Sequence, residues 1–484
     1  MQINNYLACL PEMALAILGL IILIIDVFLK DKFKNATYIL TYFLTLVTLL
    51  LTAYLVIQVP VSGVFFDGHF IVDNLSQVLK ATGLIVLFMV VVYSRAYVKD
   101  RLFPRGEYHV LLMMSGLGML FLVSANTLLM VYLGLELLSL PLYALVAMQQ
   151  DNQHSVEAGI KYFIMGAIAS AMLLYGMSLI YGLTGSIRID EIALKLMEAD
   201  RQLALFGLVF ILAGVAFKFG LVPFHMWIPD VYQGAPASVT LLVSTAPKIA
   251  AFGMIYRLFA EGFVQLEAIW VIYIAILAIL SLAIGNIVAI AQTNIKRMLA
   301  YSTISHVGFI MLGFIAGPEV GYANALYYTL IYALVNACAF GLITYLSHKG
   351  FEFENLKDFK GLAKQSPWLA FMMMLVMFSL AGIPPTAGFY AKFLVLSSLI
   401  EAGWLNLALI AIIFSVIGAF YYLRVIKLMY FDEPSEVLFG LKPRMGALET
   451  RTMLSINGLA ILLFGILPGP ILAICGYALG EVIF

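Results

Sequence analysis

Four charged residues stand inside long apolar runs of this sequence. Glu136 lies in Leu133-Gly-Leu-Glu-Leu-Leu-Ser139 and Lys218 in Gly214-Val-Ala-Phe-Lys-Phe-Gly220. Lys248 lies in Ser244-Thr-Ala-Pro-Lys-Ile-Ala250 and Lys392 in Gly388-Phe-Tyr-Ala-Lys-Phe393. An ionisable group inside a membrane-length segment is costly and by default marks an ion pathway. An ammonium loses hydration on burial, so its proton is held or released according to whether a carboxylate lies near. One glutamate followed by three spaced lysines reads as a row of sites along which a proton hops. Water must bridge the gaps, because no side chain spans them. The plainer alternative is a structural ion pair, such as Glu136 with Lys218.

Other groups carry a weaker signal. Lys161 follows Glu157 by four residues, a spacing that serves a local ion pair as well as a relay. His225, in Pro223-Phe-His-Met-Trp227, and His306, in Ser305-His-Val-Gly308, are imidazoles suited either to passing protons or to packing in the core. Lys80 is a further candidate, while His154 and His348 fall in loops and are expected to be solvated. Cys9, Cys338 and Cys475 stand far apart, without the spacing of an iron–sulfur centre, a zinc site or a disulfide scaffold. Inert, buried thiols are expected.

The elements that position these groups follow from composition. The chain is 63% hydrophobic and 11% charged, against roughly 25% charged in an ordinary soluble domain. No single soluble core absorbs that much apolar surface over 484 residues; a bilayer does. The net charge of +0 gives no indication of nucleic acid. No basic stretch precedes the first apolar run, so a cleaved signal peptide is not expected. At about 20 apolar residues per span, the chain divides into fourteen: 8–29, 36–58, 74–94, 108–123, 127–148, 157–183, 203–228, 236–258, 266–290, 298–316, 321–346, 367–399, 404–430 and 452–478. The predicted class is an all-α polytopic membrane protein.

Basic residues orient it. The odd-numbered loops hold Lys30, Lys32 and Lys34; Arg95, Lys99, Arg101 and Arg105; Lys296 and Arg297; Lys349, Lys357, Lys360 and Lys364; and Lys442 and Arg444. The even-numbered loops hold little beyond Arg188, Lys195 and Arg201. The excess of positive residues makes the odd loops cytoplasmic and sets both termini outside, periplasmic in a bacterial inner membrane.

A duplication is also legible. Ala158-Gly-Ile-Lys-Tyr-Phe…Gly176 aligns with Ala323-Asn-Ala-Leu-Tyr-Tyr…Gly341 at an offset of 165, and Gly220-Leu-Val-Pro223 aligns with Gly382-Ile-Pro-Pro385 at 162. Five spans separate the copies, so they should be two inverted five-helix repeats, a recurring transporter plan with ion sites near interrupted helices. The expected divisions are 1–105 (spans one to three), 106–262 (first repeat), 263–432 (second repeat) and 433–484. Glycine and proline should break spans seven and twelve near Pro223 and Pro385. Lys218 lies five residues before the first proline, about 7–8 Å along a helix.

Four stretches then carry a family resemblance: Glu136-Leu-Leu-Ser-Leu-Pro-Leu-Tyr-Ala144; Pro223-Phe-His-Met-Trp-Ile-Pro-Asp-Val-Tyr-Gln-Gly-Ala-Pro236; Arg297-Met-Leu-Ala-Tyr-Ser-Thr-Ile-Ser-His-Val-Gly308; and Ser379-Leu-Ala-Gly-Ile-Pro-Pro-Thr-Ala-Gly-Phe-Tyr-Ala-Lys-Phe393. In this order they resemble the proton-conducting antiporter-like subunits of NADH:quinone oxidoreductase (respiratory complex I). The likeness extends over essentially the whole chain. Lysine at span twelve and the absence of a long C-terminal extension resemble the bacterial N branch rather than the M or L branches. The resemblance implies that Glu136, Lys218, Lys248 and Lys392 are the proton sites. It also implies a multi-subunit enzyme, with other membrane-arm subunits, homologous antiporter-like ones among them, as partners.

No strand–G-x-G-x-x-G–helix unit or P-loop is present, so this chain is expected to bind no cofactor. NADH, FMN, iron–sulfur clusters and quinone would then belong to the partner subunits. The competing readings are a subunit of a cation/proton antiporter complex or membrane-bound hydrogenase, a stand-alone metabolite transporter, and a scaffold. Lysine rather than glutamate at 392 speaks against the first. Isolated buried charges without a polar cluster speak against the second, and the cost of four such charges against the third.

Overall fold

In the computed structural model, residues 2–29, 34–101, 103, 105–434 and 447–480 are described. Lys30, Lys32, Lys442 and Arg444, four of the basic residues used above to orient the chain, lie outside them. Among the described residues, twelve helices are long and apolar enough to cross a membrane. A thirteenth span is reached if Leu448–Ile466 and Gly469–Leu479, bent 81° apart, count as one. Fourteen are reached only if the shorter helices Pro367–Ala381 and Ala387–Glu401 are joined as a broken span twelve. The last predicted span is thus not straight. Pro468 and Pro470 flank Gly469 at the bend, where each proline removes a backbone donor.

The breaks in spans seven and twelve have a common local cause. Arg201–Phe219 stops at Gly220 and Pro367–Ala381 stops at Gly382, and both glycines take φ +81°. That left-handed value is open to glycine and strained for other residues. A proline three residues on then prevents resumption, the usual glycine-then-proline stop. Both breaks contain a cis X–Pro bond, Val222–Pro223 and Pro384–Pro385. The chain returns to helix at Trp227 and Ala387.

Span eight differs from the continuous helix expected over 236–258. It runs as Ala237–Val243, then Ala246–Ile255, then a π-helix over Tyr256–Gly262. Pro247 supplies no N–H to the turn before it. The hydroxyls of Ser244 and Thr245 occupy the Leu241 carbonyl at 3.1 and 2.7 Å. Lys248 therefore sits near the middle of the span, at the start of a new helix within it.

The chain forms two compact units: 1–91 with 102–219 and 246–272, and 92–101 with 220–245 and 273–484. In the first, the even loops meet one another. The hairpin Gly63–Phe65/Phe70–Val72, whose register pairs Gly63 with Val72, bridges Ala125 through Phe70. Asn126 donates to the Gly68 carbonyl at 2.9 Å, Thr127 pairs with Arg188, and Arg257 reaches Asp73 at 2.6 Å. In the second unit the odd loops meet: Arg101 with Glu352, Arg297 with Asp230, Lys296 with Glu354 and Lys360 with Asp432.

Glycine lets spans four and five approach closely. A Cβ on Gly118 of span four would lie 2.1 Å from the Leu138 nitrogen, and one on Gly134 of span five 2.7 Å from the Leu122 nitrogen. The two helices thus pack backbone to backbone, as small residues permit in membranes, and this contact fixes the helix that carries Glu136.

Candidate proton-transfer site

Span five, Leu128–Val146, starts at Thr127, whose hydroxyl accepts from the Met130 N–H at 3.3 Å. Two turns along, the Glu136 carboxylate takes a short hydrogen bond from Ser170 of span six. Lys218 does not bond to that carboxylate. Its ammonium donates to Ser139 Oγ at 2.8 Å and reaches Tyr143 OH at 3.5 Å. Ser139 lies one turn from Glu136 on the same helix, and its own proton goes to the Leu135 carbonyl at 2.6 Å. Glutamate and lysine are therefore held a helical turn apart by hydroxyls, not clamped as an ion pair. Tyr143 fits because Gly166 has no side chain; a Cβ there would stand 2.1 Å from the phenol oxygen.

Lys248, 1% exposed, donates to the Phe219 carbonyl at 2.7 Å and approaches that of Lys218 at 3.4 Å. These carbonyls are at the end of the interrupted helix. A helix terminus leaves its last carbonyls unpaired and its negative dipole end exposed, so a cation is favoured there.

The second unit repeats the device with another donor. Lys392 donates to the Leu380 and Ala381 carbonyls at 3.1 and 3.0 Å, and to Ser415 Oγ at 2.9 Å. In the first unit the ammonium at the broken helix end comes from the next span; in the second it comes from the far half of the same broken span.

The remaining candidates separate. His306 is buried with both ring nitrogens engaged, Nδ1 by Tyr328 OH at 2.6 Å and Nε2 by Tyr422 OH at 3.0 Å. His225 is buried in the first break, with its backbone carbonyl accepting from Ile228 N at 2.9 Å. Lys161 pairs with Glu157 at 2.8 Å on a side of span six that leaves the lysine 42% exposed, the local ion pair allowed by its spacing. Lys80 pairs with Glu12 at 2.7 Å, and both are almost fully buried. The three cysteines are free and buried. Among the described residues, no cluster of three or more His, Cys, Asp or Glu is placed to hold a metal ion.

The sequence reading missed several groups. Ser139 was inside a quoted motif, and its i+3 relation to Glu136 was an available signal. Glu12 was an acid inside an apolar run. The buried Arg257, bound to Asp73 and to Glu261, lies one residue inside the span boundary at 258. The tyrosines around His306 gave no signal beyond being polar in apolar helices, yet with Ser302 and Thr303 they form a polar cluster.

Residues 125–418 match the family described as NADH:quinone oxidoreductase/Mrp antiporter, TM. The chain belongs to this NADH:quinone oxidoreductase/Mrp antiporter family. Relatives called NADH-quinone oxidoreductase subunit N include one from Thioalkalivibrio sulfidiphilus, 49% identical over 476 residues and 98% of both chains. Another, from Coxiella burnetii, is 47% identical over 100% of this chain and 99% of its own. Among solved structures, the family likeness extends to a chain of respiratory complex I from Thermus thermophilus. That chain is 31% identical with a TM-score of 0.80, covering 96% of this chain and 98% of that one. A chain of the Mrp complex from Dietzia shares the fold at 20% identity, with a TM-score of 0.82 and coverage of 99% and 97%. All four resembling motifs fall within the matched residues.

Proposed function

We propose that this chain is the N-type antiporter-like subunit of a proton-pumping NADH:quinone oxidoreductase. Near-full-length identity of about half to relatives called subunit N supports the assignment. The observation that carries the mechanism is the row Glu136, Lys218 and Lys248, in which the half-buried Glu136 and Lys218 bond to serine hydroxyls rather than to each other and the buried Lys248 bonds to a main-chain carbonyl. A group held this way can change protonation without breaking an ion pair, whose loss would leave an uncompensated buried charge.

In this reading Glu136 and Lys218 form a switchable pair. With the carboxylate close, Lys218 keeps its proton; with the carboxylate turned away, the proton passes through water to Lys248. Lys392 holds the corresponding place in the second repeat, residues 263–432, as the row Glu136 to Lys248 does in the first, residues 106–262. The chain sits in the bacterial inner membrane with both termini periplasmic, beside other membrane-arm subunits that include antiporter-like ones. NADH, FMN, the iron–sulfur clusters and quinone belong to partners. The low identity of the Mrp chain extends to the fold alone and gives no independent support to the antiporter reading.

The test uses the assembled complex in vesicles, with protons pumped per NADH oxidised as the readout. Lys248→Ala should lower that ratio with assembly intact. Lys248→Arg should not restore it, because a guanidinium does not release its proton. Wild-type ratios in assembled Glu136→Ala, Lys218→Ala and Lys248→Ala variants would overturn the relay. Isolation of this chain as an active transporter without NADH-oxidising partners would overturn the assignment.

A further inference from the structure

Around His306 runs an unbroken chain of hydrogen bonds among residues that are each at most 5% exposed. Ser302 Oγ and Tyr422 OH are 2.5 Å apart, Tyr422 OH and His306 Nε2 3.0 Å, and His306 Nδ1 and Tyr328 OH 2.6 Å. A small cavity adjoins its lower end, lined by His306, Tyr328, Tyr332, Ser379, Leu380 and Gly388 among others. Its wall includes Leu380, whose carbonyl receives the Lys392 ammonium. The space is largely apolar, and His306, Tyr328 and Ser379 are the lining residues with polar groups that a bridging water would need. At the upper end, Ser302 lies five residues beyond Arg297, about 7–8 Å along the helix. Arg297 and Lys296 belong to the odd-loop charge network with Asp230 and Glu354.

We infer that Ser302, Tyr422, His306 and Tyr328 form a proton-conducting chain that loads Lys392 from the odd-loop side, with Tyr422 a catalytic residue of the transfer. The inference rests on the proton-pumping reading above and gives the second repeat its own entry path, separate from lateral delivery by Lys248.

The chemistry balances at every link. A hydroxyl accepts a proton on a lone pair while releasing its own, so it conducts without changing its net state. A neutral imidazole has one N–H and one lone pair, and here each faces a phenol. A proton arriving at Ser302 displaces the serine proton to Tyr422. Tyr422 passes its own proton to Nε2, Nδ1–H passes to Tyr328, and the Tyr328 proton enters the cavity towards Lys392. One O–H or N–H bond forms for each that breaks, and no electron is transferred. The ring is left in its other tautomer, and reorientation of the ring and hydroxyls resets the chain. Tyr332 is not a link: its hydroxyl donates to Thr303 at 2.8 Å while its ring packs 5.0 Å from that of His306.

The test compares Tyr422→Phe, which removes one oxygen and keeps the ring, with Tyr327→Phe. Tyr327 is a buried phenol outside the chain, its hydroxyl donating to the Phe464 carbonyl at 3.3 Å. In the assembled complex in vesicles, Tyr422→Phe should slow coupled proton pumping about 100-fold or more, the loss expected on removing a proton-transfer group. The solvent deuterium isotope effect should change with it. Tyr327→Phe should leave both at wild type. A merely structural hydroxyl would shift thermal stability without moving the isotope effect.

If Tyr422→Phe does not assemble, Ser302→Ala cuts the chain one link earlier and decides the same way. Wild-type pumping and isotope effect in the assembled variant overturn this inference. Lys248→Ala in the same preparation separates the two claims. If it is impaired while Tyr422→Phe pumps normally, only the Tyr422 chain fails. If it too pumps normally, the proton-pumping reading fails.

Discussion

The Lys248 ammonium hydrogen-bonds the main-chain carbonyl of Phe219 at 2.7 Å, the residue directly after Lys218. One lysine thus closes the broken end of the helix that presents the other, and the geometry couples the two sites through the backbone. This separates two roles of Lys248, carrying a proton and satisfying a helix end. Lys248→Met should leave the Phe219 carbonyl without its donor, at a cost of about 1–3 kcal/mol. Lys248→Gln retains an N–H donor and should keep more thermal stability. Neither carries a transferable proton, so both should lose pumping alike. Melting temperature and protons per NADH, measured on both variants, check this; normal pumping in Lys248→Gln would show that its charge is not used.

The packing of Gly118 against span five makes a steric prediction. The atoms that an alanine Cβ would meet, the Leu138 nitrogen at 2.1 Å and the Leu137 carbonyl carbon at 2.5 Å, are backbone and cannot swing aside. Gly118→Ala must push span five, and Glu136 with it, away from span four. Overpacking of this kind costs about 1–3 kcal/mol or more, so the variant should assemble poorly. Gly182→Ala in span six, where a Cβ meets nothing within 4 Å, should be tolerated. The yield of assembled complex distinguishes them.

How much was legible in the sequence depended on which interaction decided each feature. Apolar runs located the spans because hydropathy is a property of single residues. Gly220 with Pro223 and Gly382 with Pro385 announced both breaks because those residue types fix the local backbone. Pro247 carried the same information for span eight and went unused. What the sequence could not yield was partnership. Ser170 meets Glu136 across 34 residues, Tyr422 meets His306 across 116, and Glu12 meets Lys80 across 68. Such contacts depend on helix rotation and crossing, which hydropathy leaves open. The sequence suggests a Glu136–Lys218 pair but not the serines, Ser170 on the carboxylate and Ser139 on the ammonium, that the two charges meet.

Asp73 gives a prediction in pH. It lies just before span three and accepts from Arg257 at 2.6 and 2.7 Å and from the Ser76 N–H at 2.9 Å. Burial alone would raise its pKa, but the Arg257 charge and the hydrogen bonds from Arg257 and Ser76 outweigh it and hold the carboxyl below its ordinary value. A depressed folded-state pKa contributes stability that is present above the unfolded value, about 3.9. That stability is lost as pH falls through the lower folded value. Asp73→Asn keeps a side-chain oxygen to cap Ser76 and removes only the charge, leaving Arg257 with Glu261. The variant should be less stable near neutrality by about 1–2 kcal/mol, the loss of a charged hydrogen bond while Glu261 still compensates Arg257. The gap from wild type should close as pH falls below the carboxylate range. Detergent-solubilised thermal melts across pH check the sign; a gap that widens on acidification would contradict it.

The excess of basic residues in the odd loops predicts which residues each side of the membrane can reach. The native cysteines are all buried, so the background for a thiol reagent is low. Asp151, in loop five, and Glu198, in loop six, are both exposed and lie on either side of the span Gln153–Thr184. If the basic odd loops face the cytoplasm, Glu198→Cys should react with a membrane-impermeant maleimide added outside spheroplasts. Asp151→Cys should react only after the membrane is opened. The opposite pattern would invert the orientation while keeping the fold, and the proposed loading of Lys392 would then begin at the periplasmic side. Labelling of both from one side would remove a crossing between them, and with it the alternation on which the inverted duplication depends.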